Sequence, residues 1–329
     1  MSTSDAGDRR HRPLYMILSP RSLRYAQAAL ESLFRNSVDP IDLYLVTDSA
    51  TDAMALANAV AALSPDPRHL WSVTAEEQLN DAEATLFGKL PHLRAFRHGH
   101  PCWRKVTDPL LLSKPGEEMI LLDPDLYFPN RFRFEETPAT GLSLMWQRPN
   151  CLLPPEVVRA AMAAGIKLAR HVDIGVSHWR SGSDLEWLDW MIGTLGGGAA
   201  LPRIMHIEAI VWAAIAMREG GGYLDPGMWN CWHRTQLKRV RRKLGASGES
   251  ILSSEPWDTM KCFHAGGEAK WWVPEYVAKH PGAGCNELAA LSPLKPFVEL
   301  TQQQYEGEQR AKNVLRQLGY YRVFGAQSK

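Results

Sequence analysis

Short apolar runs alternate with amphipathic helical stripes through the first part of the chain. Residues 14–18 and 41–46 are apolar runs of strand length, and each is followed by a stretch whose apolar positions recur with helical spacing. The stripe of the first helix, Leu23–Asn36, consists of Ala26, Leu30, Leu33 and Phe34. Two strand and helix units in succession make a parallel sheet the economical arrangement.

The same alternation continues to the carboxyl end. Further strands are predicted at residues 71–74, 119–122, 142–146 and 171–177. Apolar residues recur with helical spacing at residues 157–168, at 206–218 and in an amphipathic tail, 297–318. We therefore expect an α/β fold with a mostly parallel central sheet flanked by helices and a helical tail.

Composition narrows the class of protein. The chain has 329 residues and 45% apolar content, which suits one large α/β domain with a substantial core. A formal net charge of +1 gives no electrostatic footprint for a nucleic-acid partner. The five cysteines are scattered and include no Cys-x-x-Cys pair, so neither a disulfide framework nor a structural zinc site is indicated, and a reducing compartment fits best.

Localisation signals are weak. Residues 1–12 are polar, without the apolar segment of a signal peptide, and the longest apolar helix, residues 207–217, is too short to span a bilayer. We therefore expect a cytoplasmic protein. One run, residues 238–243, is strongly basic. It is either a solvated face of the protein or a surface that contacts an anionic partner, which would be the inner membrane face or an anionic acceptor. Its cations are Lys238, Arg239, Arg241, Arg242 and Lys243.

The run at 119–122 ends in two carboxylates. Four apolar residues predict a strand buried on both faces, followed by Asp123, Pro124 and Asp125. Open α/β sheets bind ligands at the carboxyl ends of their strands. Asp123 and Asp125 are hard oxygen donors, so together they can hold a divalent cation against a substrate phosphate. A solvated turn after a strand would give the same short pattern.

A second motif lies far downstream and reads His264, Gly267, Lys270, Trp271 and Trp272. With the Asp-x-Asp run, it resembles the retaining glycosyltransferases of the GT-A fold, in particular the family that includes glycogenin and the bacterial lipopolysaccharide galactosyltransferases. Those enzymes carry an apolar strand that ends in Asp-x-Asp and, later, His-x-x-Gly-x-x-Lys-Pro-Trp. Here Trp271 stands in the position of the proline.

The resemblance implies a metal-dependent transfer of a sugar from a UDP-linked nucleotide-sugar donor. The acceptor is a carbohydrate, a glycolipid or another hydroxyl compound, and the configuration of the sugar is retained. It implies a nucleotide-sugar-binding half at 13–145, a half for the donor sugar and acceptor at 146–285, and a helical extension at 286–329. A disordered amino terminus, residues 1–12, precedes them.

The resemblance also implies a set of site residues. The metal ligands are Asp123, Asp125 and His264, which suit Mn²⁺ or Mg²⁺. The residues expected to act in catalysis are Glu208, Asp173 and Lys270. The residues expected to bind the nucleotide-sugar are Ser19, Tyr25, Lys105, Asp123, Gly175, Gly267 and Lys270.

Three other classes of protein share parts of this pattern. A haloacid-type phosphatase places Asp-x-Asp on its first strand and follows it with threonine, whereas Leu126 follows here. A sugar nucleotidyltransferase also binds a metal ion through carboxylates at a strand end, but it does not need His264 and Lys270. A catalytically inactive binding protein of the GT-A type is the third, favoured by the departures from the family at Arg21, Asp173 and Trp271.

Overall fold

The computed structural model describes residues 10–182, 184–198, 200–233, 235–281, 284 and 286–324. Of the predicted disordered terminus, residues 1–9 lie outside the described residues, and Arg12 already belongs to the first strand. The strands are β1 Arg12–Ile17, β2 Ile41–Thr47, β3 Leu70–Ala75, β4 Glu118–Leu122, β5 Leu126–Tyr127, β6 Arg131–Phe132, β7 Leu142–Trp146, β8 Val172–Arg180, β9 Gly221–Tyr223, β10 Trp229–Cys231, β11 Cys262–His264, β12 Glu287–Leu288 and β13 Lys295–Pro296.

The helices alternate with these strands in the first half and dominate the second. They are α1 Leu23–Asn36, α2 Ala50–Ala62, α3 Asn80–Phe87, α4 Pro91–Arg97, α5 Arg104–Leu112, α6 Pro155–Ala163, α7 Leu185–Thr194, α8 His206–Glu219, α9 Gln236–Lys243, α10 Gly248–Leu252, α11 Ala269–Lys279, α12 Gln302–Gln317 and α13 Tyr320–Phe324.

One large sheet organises the described part of the chain, in the order β13-β9-β7-β8-β4-β1-β2-β3. Strands β3, β2, β1 and β4 run parallel to one another, and β8 then pairs antiparallel with β4. Asp123 therefore leaves the sheet at the edge where β1 and β2 also end. The predicted α/β fold with a mostly parallel central sheet is confirmed.

Two apolar cores cover the two faces of this sheet. On one face, the stripe residues Ala26, Leu30 and Leu33 of α1 pack with Leu56 and Val60 of α2. On the other face, α8 is buried nearly all round and packs with side chains of α5, α6 and α7. Residues 119–122 of β4 are buried on both faces between these cores, as their unbroken apolar pattern predicts.

A small second sheet, β10-β11-β5, crosses the carboxyl edge of the large one. Strand β5 follows Asp125 directly and pairs antiparallel with β11, so that His264 is the register partner of Leu126. A backbone hydrogen bond of 2.9 Å from Ala265 N to the Asp125 carbonyl oxygen extends the pairing. This pairing brings the late histidine motif to the Asp-x-Asp run.

The carboxyl-terminal segment differs from the predicted helical extension in where it starts. Residues 286–301 form no helix; Glu287–Leu288 pairs with β6 and Lys295–Pro296 pairs with β9 of the large sheet. The helical part begins only at Gln302. Periodicity over 297–318 predicted the helix, whereas two-residue strands leave no periodic pattern. Within the described residues, no helix combines the length and the apolar character that crossing a bilayer requires.

Candidate metal centre

Asp123 and Asp125 lie at the carboxyl edge of the large sheet, between β4 and β5. Asp123 N donates a hydrogen bond of 2.8 Å to the carbonyl oxygen of Gly175 on β8, which anchors the turn. The two side chains keep 22% and 14% of their surface exposed. Both carboxylates therefore face the space at the edge of the sheet instead of its core.

His264 joins the two carboxylates from the other sheet. Its Nε2 lies 3.3 Å from Asp125 Oδ1 and 3.6 Å from Asp123 Oδ2. One ligand atom from each of the three side chains falls within 4.8 Å of the others. The imidazole predicted to lie beside the Asp125 carboxylate is found there, although 139 residues separate the two along the chain.

The three donor groups fit a divalent cation. Ligands about 2.1 Å from an ion at right angles are about 3 Å apart, close to the separations observed here. Two carboxylates and one imidazole are ligands that Mn²⁺ and Mg²⁺ both accept, and the imidazole favours Mn²⁺. The choice between these ions stays a prediction.

Two lysines flank the carboxylates from opposite sides. Lys105, on α5, is buried, and its Nζ donates a 2.8 Å hydrogen bond to Asp123 Oδ1 and another to the Ile174 carbonyl oxygen. Lys270, on α11, has its Nζ 3.9 Å from Asp125 Oδ2 and keeps about a quarter of its side chain exposed. Lys105 therefore supports Asp123 from within the protein, whereas Lys270 can turn toward a ligand.

The charged side chains of the centre shift one another's pKa values, as is expected of a site that binds a cation. Burial acts to lower the pKa of His264, but the carboxylates of Asp173 and Asp125 outweigh it and raise that pKa well above its ordinary value. Burial acts to raise the pKa of Asp125, yet His264 and Lys270 hold it below its usual range. For Asp123, burial prevails over Lys105 and His264, and its pKa is raised. A metal ion held by these side chains would replace the imidazole proton among the carboxylates.

Asp173 is turned toward His264. Its Oδ1 accepts hydrogen bonds of 2.8 Å from His264 Nδ1 and 2.9 Å from Gly175 N, and its Oδ2 lies 3.2 Å from Cys231 Sγ. The negative charge of aspartate, where the resembled family has asparagine, attracts the imidazole. Both oxygens are therefore engaged, Oδ1 with His264 and Gly175 and Oδ2 with Cys231, and the predicted direct part in catalysis stays a prediction.

Glu208 lies in the first turn of α8 and is buried. Its Oε1 accepts a 3.2 Å hydrogen bond from Trp212 Nε1. Burial raises its pKa to about 8, with Lys105 opposing and Asp123 adding to the shift. Glu208 is thus coupled electrostatically to the same lysine and aspartate that line the centre, and burial favours its protonated form.

Four other predicted residues line or shape the same edge. Ser19 follows β1, the strand next to β4, and Tyr25 of α1 directs its ring to Lys270 Nζ at 4.9 Å. Gly175 leaves room for the imidazole, because a Cβ there would lie 2.6 Å from His264 Nδ1. Gly267 has φ +66°, a left-handed conformation that favours glycine and turns the chain from β11 into α11.

Cys231 belongs to the same cluster and was not predicted from the sequence. It is the register partner of His264 in the parallel pairing of β10 with β11. A lone cysteine without a Cys or His at ligand spacing carries no local signal. Only the strand pairing, which joins residues 33 positions apart, reveals it.

Comparison with known proteins gives structural similarities alone. No family model matches the chain, and no curated protein matches its sequence. Mouse xyloside xylosyltransferase 1 in its apo form is 13% identical, with a TM-score of 0.49 over 79% of this chain and 99% of its own. The galactosyltransferase LgtC, solved with donor and acceptor sugar analogues, is 11% identical, with a TM-score of 0.43 over 82% and 95%.

A third solved structure is core-mannan synthase A from Aspergillus fumigatus in its Mn/GDP form. It is 11% identical, with a TM-score of 0.39 over 65% of this chain and 71% of its own. The first two are glycosyltransferases by name, the class that the sequence motifs resemble. Identities and scores this low do not assign an activity to the present chain, so its own site residues must support one.

Proposed function

We propose that this protein is a metal-dependent glycosyltransferase that moves a sugar, with retention of configuration, from a UDP-linked donor to a carbohydrate or other hydroxyl acceptor. The observation that carries the proposal is the convergence of Asp123, Asp125 and His264 at one edge of the sheet, with donor atoms 3.3 to 3.6 Å apart. Lys270 stands beside them as a partly exposed cation.

The donor's diphosphate is the group that this edge suits. Asp123, Asp125 and His264 would hold Mn²⁺ or Mg²⁺, which when bound supplies Lewis-acid stabilisation of charge on the departing diphosphate. The Lys270 ammonium adds a point charge on the same oxygens. Lys105 keeps Asp123 oriented through its 2.8 Å hydrogen bond. Gly267 allows the backbone before α11 to approach the phosphates closely.

Glu208 is the carboxyl group that we assign to the donor sugar. Asp173 has both oxygens engaged with His264, Gly175 and Cys231, whereas among the described residues Glu208 accepts a side-chain hydrogen bond from Trp212 alone. A carboxyl group with a pKa of about 8 is protonated at neutral pH and can donate a hydrogen bond to a sugar oxygen. This role, like the retaining outcome, follows from the proposal.

The proximity of His264 and Lys270 to Asp125 favours transfer of a sugar over transfer of a nucleotide. A sugar nucleotidyltransferase has no need of either side chain at the Asp-x-Asp turn. Here Lys270 Nζ and His264 Nε2 approach the two oxygens of Asp125 from α11 and β11. A protein that only binds the nucleotide would keep the same arrangement, and turnover distinguishes it.

Thermal unfolding tests the proposal. We expect UDP and Mn²⁺ together to raise the Tm of the protein more than the sum of their separate effects, because only a ligand bound by the folded state stabilises it. A panel of UDP-sugars with Mn²⁺ should then show slow hydrolysis or transfer. A Tm that responds to nucleotide equally with and without Mn²⁺ would overturn the metal site, and binding without turnover would overturn the catalytic assignment.

We further propose that α9 contacts an anionic membrane surface, where a glycolipid acceptor would lie. Its apolar residues Leu237, Val240 and Leu244 have helical spacing and are 68%, 40% and 82% exposed. Five cations lie at residues 238–243; four of them also contact other groups of the protein, and Lys243 is exposed. Exposed Leu318 and Val323 lie on the adjoining α12–α13 segment, tied to α9 by a 3.2 Å hydrogen bond from Arg239 Nη1 to the Phe324 carbonyl oxygen. A basic helix with an exposed apolar face suits a lipid interface.

Vesicle sedimentation tests this contact. We expect the protein to bind vesicles rich in phosphatidylglycerol, to lose binding as salt is raised, and to ignore pure phosphatidylcholine. Lys243→Glu should weaken binding about thirtyfold, since the lost cation and the added carboxylate each change the binding free energy by about 1 kcal/mol. The matched control is Lys89→Glu, a lysine exposed between α3 and α4. Equal losses in the two variants, or binding to neutral vesicles, would contradict the proposal.

A further inference from the structure

The imidazole of His264 has a second cluster of donors on its other nitrogen. Nε2 faces Asp123 and Asp125, whereas Nδ1 lies 2.8 Å from Asp173 Oδ1 and 3.9 Å from Cys231 Sγ. The thiol in turn lies 3.2 Å from Asp173 Oδ2. One donor atom from each of Asp173, Cys231 and His264 falls within 4.8 Å of the others.

Strand pairing holds this second cluster in place. Cys231 and His264 are register partners in adjacent strands β10 and β11, and Asp173 projects from β8 of the large sheet. Gly175 lacks the Cβ that would collide with Nδ1. Two more oxygens stand close to the thiol, with Gln147 Oε1 at 3.8 Å and the Trp232 carbonyl oxygen at 3.9 Å from Sγ. Cys231 itself is a free thiol that is only partly buried.

We propose that Asp173, Cys231 and His264 form a second cation site, selective for a thiophilic divalent ion such as Zn²⁺. A thiolate, an imidazole nitrogen and a carboxylate oxygen are the donors found in tetrahedral zinc sites. At ordinary bond lengths, such ligands stand about 3.4 to 3.6 Å apart. The observed separations of 2.8, 3.2 and 3.9 Å bracket that range. On the Asp-x-Asp side of His264, by contrast, the donors are carboxylate oxygens, which suit a hard ion.

The two sites exclude each other because they share one imidazole. A neutral imidazole has a single available nitrogen lone pair, so it ligates through Nδ1 or through Nε2 but not both. A soft ion held through Nδ1 leaves the proton on Nε2, which then cannot bind a cation at Asp123 and Asp125. This consequence rests on the proposed function, whereas the soft-ion site does not. A thiophilic ion is therefore an inhibitor of the hard-metal site.

Binding at the second site needs no oxidant or reductant. The thiol S–H bond and the His264 Nδ1–H bond break, both protons pass to solvent, and a sulfur–metal and a nitrogen–metal bond form. The hydrogen bond between His264 Nδ1 and Asp173 Oδ1 is replaced by metal bonds to the same two groups.

Cadmium is the probe for this site, since its thiolate complex has a charge-transfer band in the ultraviolet. Titration of the full-length protein with Cd²⁺, without nucleotide, should produce one equivalent of this band. Cys231→Ser should lose it, and Cys231→Ala provides a second variant, each checked for folding by circular dichroism. Cys102→Ser is the matched control, because Cys102 is also a thiol near acidic side chains, with its pKa raised to about 12 by burial and then by Glu208 and Asp123. A band that survives in folded Cys231→Ser overturns the site.

Competition tests the exclusion. With Mn²⁺ affinity measured by electron paramagnetic resonance of the free ion, one equivalent of Cd²⁺ should weaken Mn²⁺ binding at least tenfold in the wild type and leave Cys231→Ser unaffected. A full cadmium band with unchanged Mn²⁺ affinity would overturn the shared imidazole. If the wild type shows the band but binds no Mn²⁺ at all, the soft-ion site stands and the proposed function fails.

Discussion

Replacing Asp125 by alanine is expected to abolish metal-dependent nucleotide binding and to lower turnover by about 10³ or more, while the fold stays intact. The metal and its ligands supply several kcal/mol of charge stabilisation, and each 1.36 kcal/mol corresponds to a factor of ten in rate. Asp125 lies outside the apolar cores and contacts His264 Nε2 at 3.3 Å and Lys270 Nζ at 3.9 Å. Calorimetric titration with UDP, with and without Mn²⁺, measures the effect.

A charge-matched control separates this loss from a general effect of removing an acid. Asp66→Ala removes a carboxylate that is 57% exposed in the loop before β3, and it should leave nucleotide binding unchanged. Asp123→Asn should be nearly as severe as Asp125→Ala, since it deletes a charge at the same cation. Manganese dependence that persists unchanged in folded Asp125→Ala would remove this residue from the site.

Replacing Lys270 by alanine is expected to reduce turnover by about 10²- to 10³-fold and donor affinity much less. Its ammonium matters most when the diphosphate departs with its full charge, so the lost interaction is stronger in the transition state than in the ground state. Single-turnover rates give the first quantity, and titration with a UDP-sugar gives the second.

The control for Lys270 lies on the same helix. Lys279→Ala at the last turn of α11 removes an ammonium paired with Glu249 and Glu275 on the surface, and it should alter neither quantity measurably. Equal losses of rate and affinity in Lys270→Ala would assign the residue to simple ground-state binding of the phosphates.

Local pattern predicted most of the large sheet and its first helices. The bounds of α1 agree with the prediction, and β1, β2 and β3 differ by one or two residues at their ends. These elements are long enough for periodic burial to show in the residues themselves. The short strands at Glu287–Leu288 and Lys295–Pro296 are held only by their partners, and no local pattern marks them.

The residues of the metal centre likewise divide into those that local sequence pattern could place and those that it could not. Asp123 and Asp125 could be placed at a sheet edge from an apolar run alone, because a strand must end where its turn begins. That His264 would reach them followed only from the resemblance to a family, since the pairing of β11 with β5 is a long-range event. Asp173 points toward His264 because of side-chain charge, and Cys231 lies beside His264 because of strand register. Neither property can be predicted from sequence periodicity.

Some expectations stay predictions. These are the cytoplasmic location, the division at residues 145 and 285, and the roles of Ser19 and Tyr25 in nucleotide binding. Lys105 was expected to bind the donor, yet its ammonium is hydrogen-bonded to Asp123 and to the Ile174 carbonyl oxygen. No local pattern marks the end of this side chain as buried.

We expect Asp123, Asp125 and His264 to bind one divalent cation together with a nucleoside diphosphate. A crystal structure with Mn²⁺ and UDP, in which anomalous scattering locates the ion, measures this binding. We expect a single manganese peak about 2.0 to 2.6 Å from an Asp125 oxygen and from His264 Nε2, with a diphosphate oxygen completing the contacts. A manganese peak elsewhere, or bound UDP without manganese at these three side chains, would contradict the account.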